Sequence, residues 1–177
     1  MTTCVVDAGP LMALAKINNL ALLLALFGTV WITDAVAVES VEQGLQLGAP
    51  DALIIQTAIE TGWLVVNGDV SLDIAAFGLL GAGELSSIAL AVARQVDWLI
   101  FDDAAAREAA QARITALNLN TKIKGTLGVL VSAYQAGLLS VDQAIEHIGM
   151  LRVRPDVWIS HSLCDRVIQL LKTRASP

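Results

Sequence analysis

Four short apolar runs alternate with helix-like segments along the chain, and this alternation limits the folds that the chain can adopt. The runs cover residues 4–6, 30–32, 63–66 and 98–101 and are apolar throughout. Continuous apolar strands are typical of a parallel sheet that is buried on both faces, whereas half-exposed strands alternate polar and apolar residues. Because strands and helices follow one another in turn, the sequence predicts an α/β fold.

The composition is apolar enough to raise the question of a membrane segment. Of the 177 residues, 55% are hydrophobic, and the mean hydropathy is +0.65. Residues 17–33 carry no charge, but this stretch is shorter than the roughly 20 apolar residues that a spanning helix needs. It predicts a buried helix, a turn and a strand instead. No segment has the pattern of a signal peptide, so we expect a cytoplasmic, one-domain protein that does not contact a membrane.

The cysteine and histidine residues form no metal-binding pattern. Cys4 and Cys164 are far apart in the sequence, and His147 and His161 are isolated as well. Structural and catalytic zinc sites need clusters of these residues, so the sequence argues against zinc and predicts two buried, reduced thiols. The phosphate-binding motif Gly-x-x-x-x-Gly-Lys-Ser/Thr is also absent from the sequence.

Charge is unevenly distributed along the chain. The net charge is −6, which argues against a broad nucleic-acid-binding surface. The last 28 residues nevertheless carry five basic side chains and only two acidic ones. This C-terminal basic patch is either a contact surface or a solvated helix face, and the sequence leaves both interpretations open.

Acidic residues follow two of the four apolar runs. Asp7 comes directly after the first run, and Asp102 and Asp103 come directly after the fourth. Glu84 begins the helix that precedes the fourth run, and Glu39 lies in the helix that follows the second. Ligands of open α/β sheets bind outside the carboxyl ends of the strands, so several of these carboxylates are expected at one edge of the sheet.

Each acid has a simpler explanation when it is taken alone. An aspartate or glutamate at a helix start accepts backbone N–H bonds and faces the positive end of the helix dipole. Asp102 and Asp103, however, do not both cap the same N–H groups well. Clustered carboxylates repel one another unless a cation neutralises them, and Mg²⁺ is a cation that prefers such oxygen ligands. Carboxylate-bound Mg²⁺ or Mn²⁺ commonly serves phosphodiester cleavage.

Five segments in order along the chain resemble the PIN-domain family over about residues 3–140. They are VVDAGPLMALAKI, VESVEQG, GAGELSSIALA, LIFDDAAAREAA and GTLGVLVSAYQAGLL. Within the family they are similar to small prokaryotic proteins of the VapC toxin type. The resemblance implies a three-layer α/β/α sandwich with a mostly parallel central sheet, and a metal-dependent ribonuclease that uses Mg²⁺ or Mn²⁺.

The same resemblance implies the site residues. It assigns catalysis to Asp7, Glu84 and Asp102, and metal binding to these three together with Asp103. Glu39 and Thr126 match further positions of the family site, although Thr126 is equally well explained as a helix N-cap. We expect Arg107, four residues after Asp103 on a helix, to pair with that acid.

Partners and domain limits are also predicted from the resemblance. It implies RNA as the substrate, an antitoxin protein as a possible partner, and a homodimer. Residues 1–150 are expected to form the nuclease domain and residues 151–177 a helical extension of it. Lys122, Lys124 and the C-terminal arginines are candidates for contacts with the RNA backbone.

Two other functions remain open at this point. The chain is alternatively a catalytically inactive PIN-like protein that binds a partner through an apolar surface near Trp158. An aspartyl phosphatase of the haloacid-dehalogenase kind also has an aspartate after its first strand. That chemistry requires a second aspartate two residues later, where this chain has Gly9.

Overall fold

The computed structural model describes residues 2–68, 70 and 80–175. Within them, five strands form one sheet in the order β3-β2-β1-β4-β5, and every neighbouring pair is parallel. The strands are β1 (Thr3–Val6), β2 (Thr29–Thr33), β3 (Leu64–Asn67), β4 (Trp98–Ile100) and β5 (Lys122–Lys124). The helices are α1 (Ala8–Lys16), α2 (Ala21–Phe27), α3 (Asp34–Ala37), a π-helical segment (Val38–Gln43), α4 (Gly44–Gln46), α5 (Pro50–Glu60), α6 (Ala82–Arg94), α7 (Ala104–Ala116), α8 (Thr126–Gln135), α9 (Val141–Arg152) and α10 (His161–Ala175).

The central strand β1 separates two hydrophobic cores. Cys4 and Val6 belong to the larger core, which contains side chains of α1, α2, α5, α8 and α9. Val5, between them, belongs to the smaller core on the opposite face, with side chains of α6 and α7. A strand turns successive side chains to opposite faces, so a strand that is apolar throughout must be covered on both sides. The predicted α/β/α sandwich is therefore confirmed, as is the burial of both free cysteines.

The edge strand β5 is the one strand that the apolar pattern did not predict. Its sequence is Lys-Ile-Lys, and it pairs with β4 through the register Leu99↔Ile123. Charged side chains are common on edge strands because they discourage pairing with another chain. Such a strand has no apolar run by which a sequence can reveal it.

The charge-free stretch near the start of the chain forms α2, a turn at Gly28 and β2, as predicted. No single helix among the described residues is long and apolar enough to span a membrane. The pair α1 and α2 passes that test together, by length and composition, with a bend of 118° between them.

Ion pairs attach the C-terminal segment to the body of the fold. Lys16, in α1, binds Asp51 of α5 at 3.3 Å and Asp156 at 3.0 Å. Asp156 also accepts two hydrogen bonds from Arg154, at 2.9 Å each. Lys16 and Asp51 are largely buried, with side-chain exposures of 13% and 6%. This Lys16 network fixes the segment between α9 and α10 against the N-terminal half of the chain.

Pairing also reduces the C-terminal basic patch that the sequence indicated. Arg152 binds Asp165 at 2.7 Å, and Arg154 binds Asp156 at 2.9 Å. The two acids of this segment thus neutralise two of its arginines. For these arginines the geometry favours a solvated, self-paired surface over a contact surface for RNA.

Candidate functional site

Asp7 stands where the central strand β1 meets α1. It occupies the N-cap position with extended backbone (φ −82°, ψ 164°), yet its side chain makes no capping hydrogen bond. One carboxylate oxygen instead accepts a long bond of 3.4 Å from the Ser87 hydroxyl, in α6. The simple explanation of Asp7 as a helix cap therefore does not account for its carboxylate.

Glu84 lies in the first turn of α6, as the sequence indicated. Its Oε2 accepts a hydrogen bond of 2.8 Å from the N–H of Gly81, the N-cap residue. This is half of a capping box, because glycine has no side chain to return the bond. Capping explains one oxygen of Glu84 and fixes where the carboxylate stands.

Glu39 belongs to the π-helical segment and not to an ordinary α-helix. Ser40, which is fully buried, donates its hydroxyl to the carbonyl oxygen of Val36 at 2.7 Å. π-Helical turns are rare and frequently occur at functional sites, where they change the direction of a side chain. The sequence predicted a helix around Glu39 but not its π-helical geometry.

The structure brings Asp7, Glu39 and Glu84 to one cavity of about 520 Å³. Burial raises the pKa of Asp7 to about 7, with smaller upward contributions from Glu39 and Glu84. The Ala8 amide and the Ser87 hydroxyl only partly offset this shift in pKa. Burial and then the charge of Glu84 also raise the pKa of Glu39. The cavity therefore holds more negative charge than its own donors compensate.

Gly83 is a residue of this cavity that sequence reasoning missed. A Cβ at this position would lie 3.3 Å from Glu39 Oε2 and 3.6 Å from Asp7 Oδ1. A glycine here leaves free the space between the two carboxylates. The available signal was the Gly-x-Gly-Glu sequence itself, whose second glycine directly precedes Glu84.

Asp102 follows β4, which is the neighbour of β1, so it stands at the same edge of the sheet as Asp7. Both of its oxygens are already engaged by Thr126: the backbone N–H donates to Oδ1 at 2.8 Å and the hydroxyl to Oδ2 at 2.5 Å. Burial raises the pKa of Asp102, and the bonds from Thr126 and the charge of Arg107 act against that rise. Asp102 does not line the cavity of Asp7, Glu39 and Glu84.

Gly125 makes the contact between Thr126 and Asp102 possible. A Cβ on Gly125 would lie 2.6 Å from Asp102 Oδ1 and 3.1 Å from the carbonyl oxygen of Phe101. No real side chain tolerates the shorter distance, so the backbone at α8 approaches β4 only because this residue is a glycine. The N-cap of α8 is Gly125, so the explanation of Thr126 as an N-cap is wrong. The sequence named Thr126 as a candidate site residue, but nothing in it indicated this close approach.

Asp103 is the N-cap of α7. Its Oδ1 accepts a hydrogen bond of 2.8 Å from the N–H of Ala106. The capping role considered for this residue is confirmed, and its role as a metal ligand stays a prediction. The charge of Arg107 lowers the pKa of Asp102. The expected pairing of Arg107 with Asp103 stays a prediction.

Lys124 and Lys122 lie against aromatic rings. The Nζ of Lys124 is 3.7 Å from the centroid of Trp98 and donates to the Ser132 hydroxyl at 2.6 Å. Burial and the neighbouring Lys122 lower the pKa of Lys124. Lys122 lies 5.5 Å from the same ring. The amino group of Lys124 thus already contacts Trp98 and Ser132. Lys124 is therefore a weaker candidate for a contact with RNA.

Replacing Thr126 by valine is expected to destabilise the protein by about 1.5–3 kcal/mol, because the half-buried carboxylate of Asp102 loses the hydroxyl donor of the buried Thr126. Thr126→Ser retains the hydroxyl and is expected to recover most of the loss. Chemical denaturation of the three proteins at pH 7 measures the difference. Equal loss in the valine and serine variants would show that packing of the methyl group, and not the bond to Asp102, stabilises this region.

The donor set of the cavity fits a hard divalent cation. In the part of the chain that the structure describes, no three acidic, histidine or cysteine side chains form a ready-made metal cluster. Mg²⁺ does not require one, since it keeps several waters and binds proteins through one or two carboxylates. Asp7 and its neighbours Glu39 and Glu84 supply only oxygen ligands and an excess of negative charge. The residues present therefore suit such an ion better than they suit zinc.

Comparison with known families adds to this geometry. A family model described as a PIN domain matches residues 3–173. No curated protein and no solved structure matches the chain significantly. PIN domains are generally nucleases, a class of hydrolases, and they typically use divalent metals. The match covers nearly the whole chain and agrees with the parallel five-stranded sheet, so the chain belongs to the PIN-domain family.

Proposed function

We propose that this protein is a Mg²⁺- or Mn²⁺-dependent endoribonuclease. One observation carries the proposal: Asp7, Glu39 and Glu84 surround a single cavity at the carboxyl end of the central strand. Burial raises the pKa of Asp7 to about 7, and among the residues that the structure describes no cationic side chain forms an ion pair with its carboxylate. Because PIN domains are generally nucleases, this group of acids is best explained as a site for phosphodiester cleavage.

Asp7, Glu39 and Glu84 are the residues that would hold the ion. When bound, a divalent cation of this type activates a water for attack and offsets charge on the phosphate. Asp102 adds a further carboxylate at the same edge, oriented by its two bonds from Thr126. The catalytic and metal-binding roles of these acids are part of the proposal.

The other residues of the site keep these carboxylates in place. Ser87 donates to Asp7, the Gly81 amide donates to Glu84, and Gly83 leaves the space between the acids free. Without a bound cation, these carboxylates would repel a phosphodiester. Productive binding of RNA at this cavity therefore requires that the negative charge is first neutralised.

A role as the toxin of a toxin–antitoxin pair is the finer part of the proposal. It rests on the resemblance of the sequence to VapC-type proteins and includes an antitoxin partner, a homodimer and a cytoplasmic location. Growth arrest on expression, relieved by co-expression of the protein encoded by the adjacent gene, would support the toxin role. Light scattering of the purified chain would test the dimer.

The experiment that tests the enzymatic function uses a circular single-stranded RNA, which only an endonuclease linearises. Wild type is expected to cut it with Mg²⁺ or Mn²⁺ and not after addition of a chelator. Asp7→Asn is expected to lower the rate at least about 1000-fold, since it removes an acid from the proposed metal site.

The matched control is Glu60→Gln. Glu60 is an exposed acid at the end of α5, just before β3 begins and thus at the opposite edge of the sheet. The Glu60→Gln variant is expected to cut RNA as fast as wild type. If Asp7→Asn cuts as fast as wild type, the assignment of the site is wrong. If no protein cuts any RNA and Mn²⁺ does not raise the melting temperature, the inactive partner-binding alternative is favoured.

A further inference from the structure

Trp158 is an exposed aromatic residue beside a candidate site residue. It lies in the segment between α9 and α10, and 96% of its surface is accessible to solvent. Two cavities, of about 70 and 730 Å³, adjoin it, and Asp102 and Trp158 are the two residues that line both. The indole ring therefore lines the same two cavities as Asp102, which stands at the carboxyl edge of the sheet.

The segment that carries Trp158 is firmly attached although the ring itself is exposed. Asp156, two residues earlier, is bound by Lys16 at 3.0 Å and by Arg154 at 2.9 Å. Lys16 is in turn bound to the buried Asp51. The Lys16 network contains two positive and two negative groups, so its charges cancel. A polyanion that approaches Trp158 therefore meets no net repulsion from this network.

The exposed indole ring of Trp158 is available to a ligand. Covering a large apolar side chain is worth about 1.5–3 kcal/mol, and this protein leaves Trp158 uncovered. Stacking of an aromatic side chain on a nucleobase is worth about 1–3 kcal/mol and requires an unpaired base. The larger cavity beside the ring has room for a nucleotide, and Arg107 supplies a cation to its lining.

We propose that Trp158 is a stacking platform for one unpaired base of the RNA substrate, beside Asp102 at the carboxyl edge of the sheet. This inference rests on the proposed ribonuclease function and adds a residue that selects single-stranded over paired RNA. The Lys16 network attaches the segment that carries the platform to α1 and α5. The side chain contacts the substrate base, while the acids of the cavity serve the phosphate.

The test is equilibrium binding of a fluorescein-labelled, unpaired 12-nucleotide RNA, measured by polarisation. All proteins carry Asp7→Asn, which prevents cutting and removes one acidic charge from the cavity, and the buffer contains Mg²⁺ to offset the charge of the remaining acids. Trp158→Ala is expected to weaken binding about 5- to 150-fold, which corresponds to the loss of one stacked base. Trp158→Phe is expected to retain most of the affinity. Trp158→Leu, which keeps apolar bulk without an aromatic face, is expected to behave like alanine.

Controls separate stacking from other roles of the ring. Val153→Ala removes another exposed apolar side chain, 72% accessible, that lines neither cavity, and it is expected to leave binding unchanged. The same RNA in a duplex is expected to bind with no dependence on Trp158. RNA should also quench tryptophan fluorescence in the parent protein but not in Trp158→Phe.

The outcomes distinguish this inference from the proposed function. Equal affinity of the Trp158→Ala variant and its parent overturns the platform, even if wild type cuts RNA. So does absence of any RNA binding by the parent. A change of oligomeric state in Trp158→Ala without a change in RNA affinity would assign the ring to a protein interface instead. If RNA binding depends on Trp158 but wild type never cuts RNA, the stacking role of Trp158 stands and the proposed ribonuclease function is overturned.

Discussion

Asp7→Asn is expected to make the metal-free protein more stable above pH 7 by about 2–4 kcal/mol, while it abolishes metal-dependent cleavage. The reason is the raised pKa of Asp7, which burial brings from 3.8 to about 7 in the folded protein. Ionising such a group disfavours the folded state by about 1.4 kcal/mol for each unit of difference in pKa. An asparagine at this position never ionises and avoids that cost.

The pH window of this effect follows from the two pKa values. Between pH 4 and pH 7 the folded protein holds more protons at Asp7 than the unfolded chain does, so stability falls as pH rises through this range. Below pH 4 the group is protonated in both states, and wild type and variant should be equally stable there. Urea denaturation at pH 4, 6 and 8 measures the divergence of the two proteins.

A divalent cation reverses the order of stability in the same experiment. Mn²⁺ is expected to stabilise wild type at pH 8, because a ligand that binds only the folded state stabilises it by mass action. It should not stabilise Asp7→Asn to the same extent. Glu60→Gln serves as the control and should follow wild type with and without Mn²⁺. Identical pH profiles for wild type and Asp7→Asn would mean that Asp7 is not the buried, uncompensated acid described above.

Gly125→Ala is the second substitution with a large expected effect. Its Cβ would lie 2.6 Å from Asp102 Oδ1 and 3.1 Å from the Phe101 carbonyl oxygen. The backbone angle φ of −102° suits alanine, so the cost is steric and not conformational. Forcing an extra methyl into a packed site costs about 1–3 kcal/mol. We expect a loss in this range, and at least about a 100-fold lower cleavage rate because Asp102 must move.

A double-mutant cycle identifies the clash. On an Asp102→Ala background, where the carboxylate is absent, Gly125→Ala should cost clearly less than it does in wild type. Gly149→Ala, in α9, is the matched control because a Cβ there meets nothing within 4 Å. It should be neutral or stabilise the protein by about 1 kcal/mol, as alanine does relative to glycine in a helix. Additive costs in the cycle would contradict contact between residue 125 and the Asp102 carboxylate.

Local patterns were sufficient for most of the fold. The four apolar runs all became neighbouring parallel strands. Strands that are apolar on both sides favour a place between two layers of helices, although β3 lies at an edge of the sheet and leaves Val65 exposed. Capping chemistry was equally readable: Asp103 caps α7, because a cap depends on residues within one turn of each other. The polar edge strand β5 lacked such a signal, and its place depends on pairing with β4.

The candidate site was predictable in its residue types and not in its grouping. The sequence placed acids at strand ends and helix starts, and order along the chain related them to a family. The family resemblance assigned catalysis to Asp7, Glu84 and Asp102 and gave Glu39 only as an additional site residue. In the structure Glu39 shares the cavity with Asp7 and Glu84, while Asp102 is turned toward Thr126. A π-helical turn and a glycine contact decide these directions, and neither has a local sequence signature.

The sequence by itself determined the parallel α/β architecture and the acidic character of one edge of the sheet. These features depend on side-chain period and on neighbours along the chain. Only the tertiary structure decided which acid is desolvated, which one accepts hydrogen bonds from the first residue of α8, and that Trp158 lines the same cavities as Asp102. Burial and contacts between distant segments set these properties, because desolvation of a carboxylate depends on what packs around it in space.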